Sequence, residues 1–276
     1  MKEWSSITDY SKPYITGNGA ASYCRTVFNY SGYVTNHNVD NNICFVKTDH
    51  IHYFMQHHKP ANPYKLITHN SDIIIDQSHA HILNDPRLIS WHAVNVNYVH
   101  TKLKSFPLGI ANYGYAHGTP DLMTKVIKEE NRKVNDVYVN FNLMSNTAER
   151  LRCLKLTGTT INQPLEGEGW QGFAGGYTQP ATFETYLRSM ASHKFCLSPF
   201  GNGPDCHRIW EALYLKTIPI VIRHTAFEHY KWLPMIVLND WDQYRSFKFN
   251  DELYQHVWGQ FDITSLHLDR YILDRI

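Results

Sequence analysis

Residues 194–222 read KFCLSPFGNGPDCHRIWEALYLKTIPIVI. An apolar run leads into a Gly-rich turn, then a helical pattern, then a second apolar run rich in β-branched residues. That order reads as strand, helix and strand. A crossover of this length joins parallel neighbours of one sheet, which requires helices packed on the sheet faces. The turn directly follows the first strand. In open α/β sheets the carboxyl ends of strands are where ligands sit.

The same style fills the rest of the chain. Strands are predicted at 42–47, 65–68, 73–75, 89–96, 105–110, 136–142, 194–198, 218–223 and 235–239. Helical pieces are predicted at 50–58, 78–84, 121–132, 147–156, 182–192 with Thr182 as cap, and 207–216. The charged segment 121–132 is read as a linker between halves, and 167–177 as a Gly-rich loop. The expected organisation is a Rossmann-like unit over 1–118, a second over 119–250, and an amphipathic helical tail, 251–276, packing back on the body. A chain of 276 residues, 43% hydrophobic, can supply both cores.

Bulk charge excludes some partners. Lys and Arg total 26 against 25 Asp and Glu, so no global field draws in nucleic acid or anionic lipid. Cys24, Cys44, Cys153, Cys196 and Cys206 are odd in number and lack C-x-x-C spacing, as expected of reduced thiols. The start, MKEWSSITDYSKPY, has no apolar signal region, and no run is long enough to span a bilayer. A soluble, cytoplasmic protein is expected.

The turn itself suggests chemistry. Gly201 and Gly203 allow close backbone approach, and Pro204 suits a first helical position. Amides of a helix start, carrying roughly half a unit charge together, favour phosphate. Ser198, Asn202, Asp205, Cys206 and His207 complete the turn. Arg208 and Glu211 are three apart and share a helical face. A guanidinium can fork onto phosphate oxygens, whereas a carboxylate suits vicinal hydroxyls such as a ribose diol. Together they fit a nucleoside diphosphate. The plainer alternative is a surface salt bridge after an ordinary loop, since the turn is not the G-x-G-x-x-G fingerprint.

The 194–222 segment, followed by LPMIVLNDW, resembles the donor-binding half of exostosin-type glycosyltransferases, above all the short forms of large algal viruses. KLITHNSD, WHAVNVN, FPLGIANYGYAHG and YVNFNLMSNTAERLRC extend the resemblance over roughly 40–245. It implies a GT-B enzyme, two Rossmann-like domains facing across a cleft. The first would be the acceptor side and the second would bind a nucleotide-sugar. It also implies inversion at the anomeric carbon, no metal or other cofactor, and a UDP-sugar donor with an oligosaccharide acceptor. Xylose is the favoured sugar; glucose, galactose and glucuronate stay open. By this likeness Glu211 holds the ribose, while Arg208 and the 201–206 backbone hold the diphosphate. Lys216 stands where such proteins often carry Gly. For a viral enzyme the compartment would be the host cytoplasm.

Such an enzyme needs a general base to take the acceptor proton. Asp72 is favoured, with His69 beside it in HNSD; Asp49, Asp76 and His79 are further candidates, and a simple turn with Asp72 as a cap is the alternative. Arg150, Arg152 and Arg223 could add positive charge at the diphosphate. Asn112, Tyr113 and His117 follow another predicted strand, and Trp170 and Phe173 could close over a sugar. Competing readings remain. Asp240-Trp241-Asp242 is a D-x-D, the metal-binding mark of the other large glycosyltransferase class, although Asp240 with Gln243 also makes a capping box. The histidine pairs 50/52, 57/58 and 79/81 lack zinc-site partners. A non-catalytic nucleotide-sugar-binding module would keep Arg208 and Glu211 without a base.

Overall fold

The computed structural model describes residues 11–29, 32–115, 117–161 and 182–276. In chain order the helices and strands are α1 (Gly17–Ser22), β1 (Thr26–Asn29), β2 (Gly32–Thr35), β3 (Ile43–Lys47), α2 (Ile51–His57), β4 (Tyr64–His69), α3 (Ala80–Leu83), β5 (Leu88–Ala93) and β6 (Leu103–Ser105). They continue with α4 (Pro120–Lys128), β7 (Asn135–Tyr138), α5 (Thr147–Thr157), α6 (Phe183–Ala191), β8 (His193–Leu197), α7 (His207–Tyr214), β9 (Ile218–Ile222), β10 (Ile236–Leu238), α8 (Asp251–Trp258) and α9 (Leu268–Arg275). The chain forms two compact units. One takes the residues up to Gly118 with His224–Tyr230 and Thr264–Ile276; the other takes Thr119–Arg223 and Lys231–Ile263.

The first unit is built on a six-stranded sheet in the order β2-β1-β3-β4-β5-β6. All its pairings are parallel except the β1–β2 hairpin. Strand β3 is buried at every residue and β4 at all but Lys65, as a sheet covered on both faces requires. Phe54, Leu66, Trp91 and Leu103 lie in its apolar core. The hairpin was not anticipated, although TVFN and GYVT are rich in β-branched and aromatic residues and Gly32 adopts φ 98°. The predicted strand at 73–75 is absent. Ile73 and Ile74 are exposed, and only Ile75 bridges, to Val96. Asn70, at φ 59°, turns the chain at the end of β4.

The second unit has a four-stranded sheet in the order β10-β9-β8-β7, parallel throughout. Phe195, Leu197, Ile218, Ile220 and Trp241 fill its core. Helix α4 is part of this unit and not a linker. It packs against α6, tied by Arg188 to Glu129 at 2.9 and 2.7 Å and by Lys125 to Glu184 at 2.7 Å.

The segment 251–276 does not act as one tail. Tyr254 on α8 joins the second unit's core and donates to the Lys216 carbonyl at 2.8 Å. Beyond it, Leu268 and Tyr271 on α9 are buried in the first unit, Tyr271 edge-on to Phe106 at 5.5 Å. The Leu268 N–H also donates to the Pro13 carbonyl at 2.8 Å. Among the described residues no helix is long and apolar enough to cross a membrane.

Two backbone positions give opposite predictions. Lys216 ends α7 in the left-handed region at φ 56°, where a Cβ is unfavourable. Lys216→Gly should therefore raise stability by about 0.5–1 kcal/mol. Gly109 has φ 68°, and a Cβ there would lie 2.0 Å from the Ile15 carbonyl oxygen. Gly109→Ala should cost more than about 2 kcal/mol. Urea unfolding midpoints check both signs.

Candidate active site

The turn after β8 is rigid. Gly201 N–H donates to the Gly203 carbonyl at 3.0 Å, and Asn146 Nδ2 donates to the Gly201 carbonyl at 3.1 Å. Asn146 is also the N-cap of α5, accepting from the Glu149 N–H at 3.4 Å. A Cβ on Gly201 would come within 3.1 Å of Arg150 Nη2, so glycine leaves room for that guanidinium. Asp205 is buried and accepts from the Trp210 indole N–H at 2.7 Å, which clamps the start of α7 on itself. Cys206 is the N-cap and supplies no side-chain cap to the helix start.

Arg150 and Arg208 flank the ring of Phe141, with guanidinium carbons 5.8 and 5.4 Å from its centroid. The ring face offers each cation a modest attraction. Arg150, in the first turns of α5, is buried and donates to the carbonyls of Phe200, at 3.0 Å, and Asn142. Burial, reinforced by the Arg208 charge, lowers its pKa to about 10, so it stays charged at neutral pH. Arg208 differs. Its Nε and Nη1 are buried and have no hydrogen-bond partner. An orphaned donor of this kind costs about 1–3 kcal/mol, more when charged.

Glu211 follows one helical turn later, 4% exposed, and accepts from the Tyr186 hydroxyl at 2.9 Å. Burial pushes its pKa up to about 7, against the opposing pull of Tyr186 and Arg208. At neutral pH the pocket thus holds two cations and one carboxyl near its midpoint. Among the described residues neither guanidinium has a carboxylate hydrogen-bond partner. Such a site can take an anion with several acceptor oxygens.

The structure therefore brings Arg150, Gly201, Arg208 and Glu211 together, with Cys206 and His207 half-buried at the helix start. Other predicted residues serve elsewhere. Ser198 is fully buried, and its hydroxyl donates to the Cys196 carbonyl at 3.4 Å. The side chain of Asp205 is engaged by Trp210. Asn202 is exposed at the tip, and Gly203 is buried beneath it. Arg223 is exposed, its Nε donating to Asn239 at 2.9 Å. Arg152 pairs with Asp240. Phe141, Asn146 and Tyr186 were missed. Only Asn146 left a sequence signal, the N-x-x-E start of a helix.

The expected base pair, Asp72 with His69, sits in the first unit. His69 is 1% exposed and held through both ring nitrogens. Nδ1 accepts from the Asn70 N–H at 2.6 Å, and Nε2 donates to the Pro107 carbonyl at 3.1 Å. A ring fixed in this way ties the end of β4 to the Pro107 backbone. Asp72 is exposed beyond that loop. Asn112 joins a closed ring of amides. Its Oδ1 accepts from Asn18 N–H at 2.8 Å, its Nδ2 donates to Asn70 at 2.9 Å, and Asn70 donates to Asn18 at 3.1 Å. His117 is half-buried, and burial lowers its pKa; Tyr113 is exposed.

Of the further base candidates, Asp49 is partly buried, which raises its pKa, yet the hydrogen bonds of Lys47 and Ser71 bring it below the usual carboxylate range. Asp76 accepts from Ser78 and His79 and is likewise lowered. His79 is buried in that capping box. In the D-x-D, Asp240 accepts from the Trp241 N–H at 2.5 Å and from Arg152. Trp170 and Phe173 lie outside the described residues. No protein-family model matches the chain, and a search of curated proteins finds no match.

The pH dependence has a definite sign. A carboxyl whose folded pKa is near 7, above its ordinary 4.5, adds stability below about 4.5 that is lost as pH rises through about 7. Glu211→Gln should keep that contribution. The stability difference between variant and wild type should widen from pH 5 to pH 8, on the order of 2 kcal/mol. Buried His92, pulled down to about 3, titrates with the opposite sign but cancels in the difference. A flat difference profile contradicts the assignment.

Proposed function

We propose that this chain is an inverting glycosyltransferase of the GT-B, exostosin-like kind, taking a UDP-sugar as donor and a glycan hydroxyl as acceptor. Xylose remains the favoured sugar. The observation that carries the reading is the buried Arg208 guanidinium, two of whose nitrogens lack partners beside a second buried arginine. Native proteins rarely leave such donors unpaired, and a diphosphate supplies the missing acceptors. Glu211, one turn further along the same helix, would accept from the ribose diol.

In the reaction the acceptor oxygen bonds to the anomeric carbon as the bond from that carbon to the diphosphate breaks. The electron pair leaves with UDP, and the acceptor proton passes to a base. Arg208 and the α7 start would stabilise the developing charge on the diphosphate. Asp72 remains the proposed base, now without His69 as its partner. No metal is assigned to the reaction, and Asp240, the first carboxylate of the D-x-D, is already engaged by Arg152 and a backbone amide.

One observation favours a second reading: His69 is held through both ring nitrogens and Asp72 is exposed. A nucleotide-sugar-binding module without catalysis needs no base. Donor hydrolysis separates the two: an enzyme releases sugar slowly to water, and a binder does not.

Calorimetry with UDP, GDP and their sugars, with and without EDTA, tests the proposal. UDP should bind, EDTA should change nothing, and Arg208→Ala should weaken UDP about a hundredfold, equivalent to ~2–3 kcal/mol of charge-assisted hydrogen bonding. Asp72→Asn should leave binding intact and nearly abolish transfer. Absence of nucleotide binding removes the proposal; preference for GDP removes the uridine assignment; activity lost with EDTA restores the D-x-D reading.

A further inference from the structure

Arg208 and Glu211 pose a physical puzzle. They share one face of α7, three residues apart, where opposite charges readily pair. Glu211 and two of the Arg208 guanidinium nitrogens are shielded from water, which strengthens their attraction. Yet Arg208 Nε and Nη1 have no hydrogen-bond partner, and Glu211 accepts from Tyr186 instead. We propose that Tyr186 is a positioning residue: its hydroxyl holds Glu211 off Arg208 and so keeps the guanidinium open for the ligand's diphosphate. The ligand in this statement rests on the functional reading above; the restraint on Glu211 does not.

The tyrosine is built to do this. Its helix, α6, is capped by Thr182, whose hydroxyl oxygen accepts from the Thr185 N–H at 3.2 Å. Leu187, Met190 and Ala191 seat α6 in the core, and the Arg188–Glu129 pair ties it to α4. The Tyr186 ring stacks on Phe183 at 5.7 Å and meets Tyr138 at 6.1 Å. Tyr138 is itself held, its hydroxyl accepting from Asn140 Nδ2 at 2.9 Å. The 186 hydroxyl is therefore aimed before any ligand arrives, and pre-organisation of that kind lowers the cost of binding.

Among the described residues, four titratable groups face Glu211. Tyr186 comes from α6, Arg208 from its own helix, Cys196 from β8 and Cys206 from the turn. Strand β9, IPIVI, contributes no titratable side chain. Among the described residues, removing the Tyr186 hydroxyl leaves Glu211 the Arg208 guanidinium as its alternative partner. The resulting ion pair would lower the Glu211 midpoint and occupy the nitrogens that a phosphate needs.

The test uses the full chain without nucleotide first. Carboxyl ¹³C NMR follows Glu211, assigned by its absence in Glu211→Gln. In Tyr186→Phe the Glu211 midpoint should fall by at least one pH unit, with the thermal midpoint unchanged or raised. UDP and inorganic pyrophosphate should then each bind at least tenfold more weakly. Adding Glu211→Gln to Tyr186→Phe should bring pyrophosphate affinity within twofold of Glu211→Gln alone, because no carboxylate remains to collapse. A Glu211 midpoint and pyrophosphate affinity that do not change in Tyr186→Phe overturn the proposal.

Should Tyr186→Phe fail to fold, Arg208→Met decides. If Tyr186 keeps the two groups apart, the Glu211 midpoint moves by less than one unit; a rise of two or more means that they were already paired, and the proposal falls. Wild type that binds neither UDP nor pyrophosphate removes the glycosyltransferase reading, while the ligand-free titrations still judge Tyr186.

Discussion

A guanidinium buried without its hydrogen-bond partners is the condition around which the second unit is arranged. Moving a charge out of water costs several kcal/mol unless acceptors are supplied. Arg150 finds two backbone carbonyls, from Phe200 and Asn142. Arg208 finds the face of Phe141, and its Nε and Nη1 have no hydrogen-bond partner. Holding both cations there requires neighbours that cannot drift. Asn146 and Gly201 fix the turn, and Asp205 grips Trp210 so that α7 leaves the sheet in one direction. The parallel sheet beneath, buried through Phe195, Leu197 and Ile220, is the rigid base for all of them.

Much of this frame could be read from residue order. The alternation of short apolar runs with helical patterns gave mixed α/β construction, and most central strands stand within a few residues of where they were expected. Strands β3, β4, β8 and β9 were legible because both of their faces are buried, so β-branched and aromatic residues run nearly unbroken. The β1–β2 hairpin was not, because each of its strands is only four residues long and carries no alternation of apolar and polar positions. The run 73–75 misled for the opposite reason: three isoleucines look buried, but two are exposed once the left-handed Asn70 has turned the chain.

The site was legible only where it was local. Arg208, Glu211 and the glycines lie in one stretch, and their spacing on a helix says which face they share. Phe141 and Tyr186 arrive from other elements, and no spacing rule connects position 186 to position 211. Some residues in the quoted turn were credited with binding yet serve the fold. Ser198 and Asp205 sit at ligand-like positions in the sequence; in the fold the Ser198 hydroxyl donates to the Cys196 carbonyl and one Asp205 oxygen accepts from the Trp210 indole. His69 shows the same limit. A histidine at a strand end looks like a base until its two nitrogens are traced to Asn70 and Pro107.

The charge pattern of the pocket has its own logic. A fully ionised carboxylate beside a diphosphate would repel it, and a carboxylate paired with Arg208 would compete for the same nitrogens. Burial that brings Glu211 to about 7 eases the first difficulty, since near neutral pH the carboxyl is protonated about half of the time and in that form carries no charge and can still accept from a hydroxyl. The Tyr186 hydrogen bond relieves the second by fixing where the carboxyl points. Both follow from a single placement, a carboxyl on the buried face of α7 beneath an aromatic helix. In the proposed site, Arg208 would thus keep its positive charge for the diphosphate, although a potential counterion lies one helical turn away.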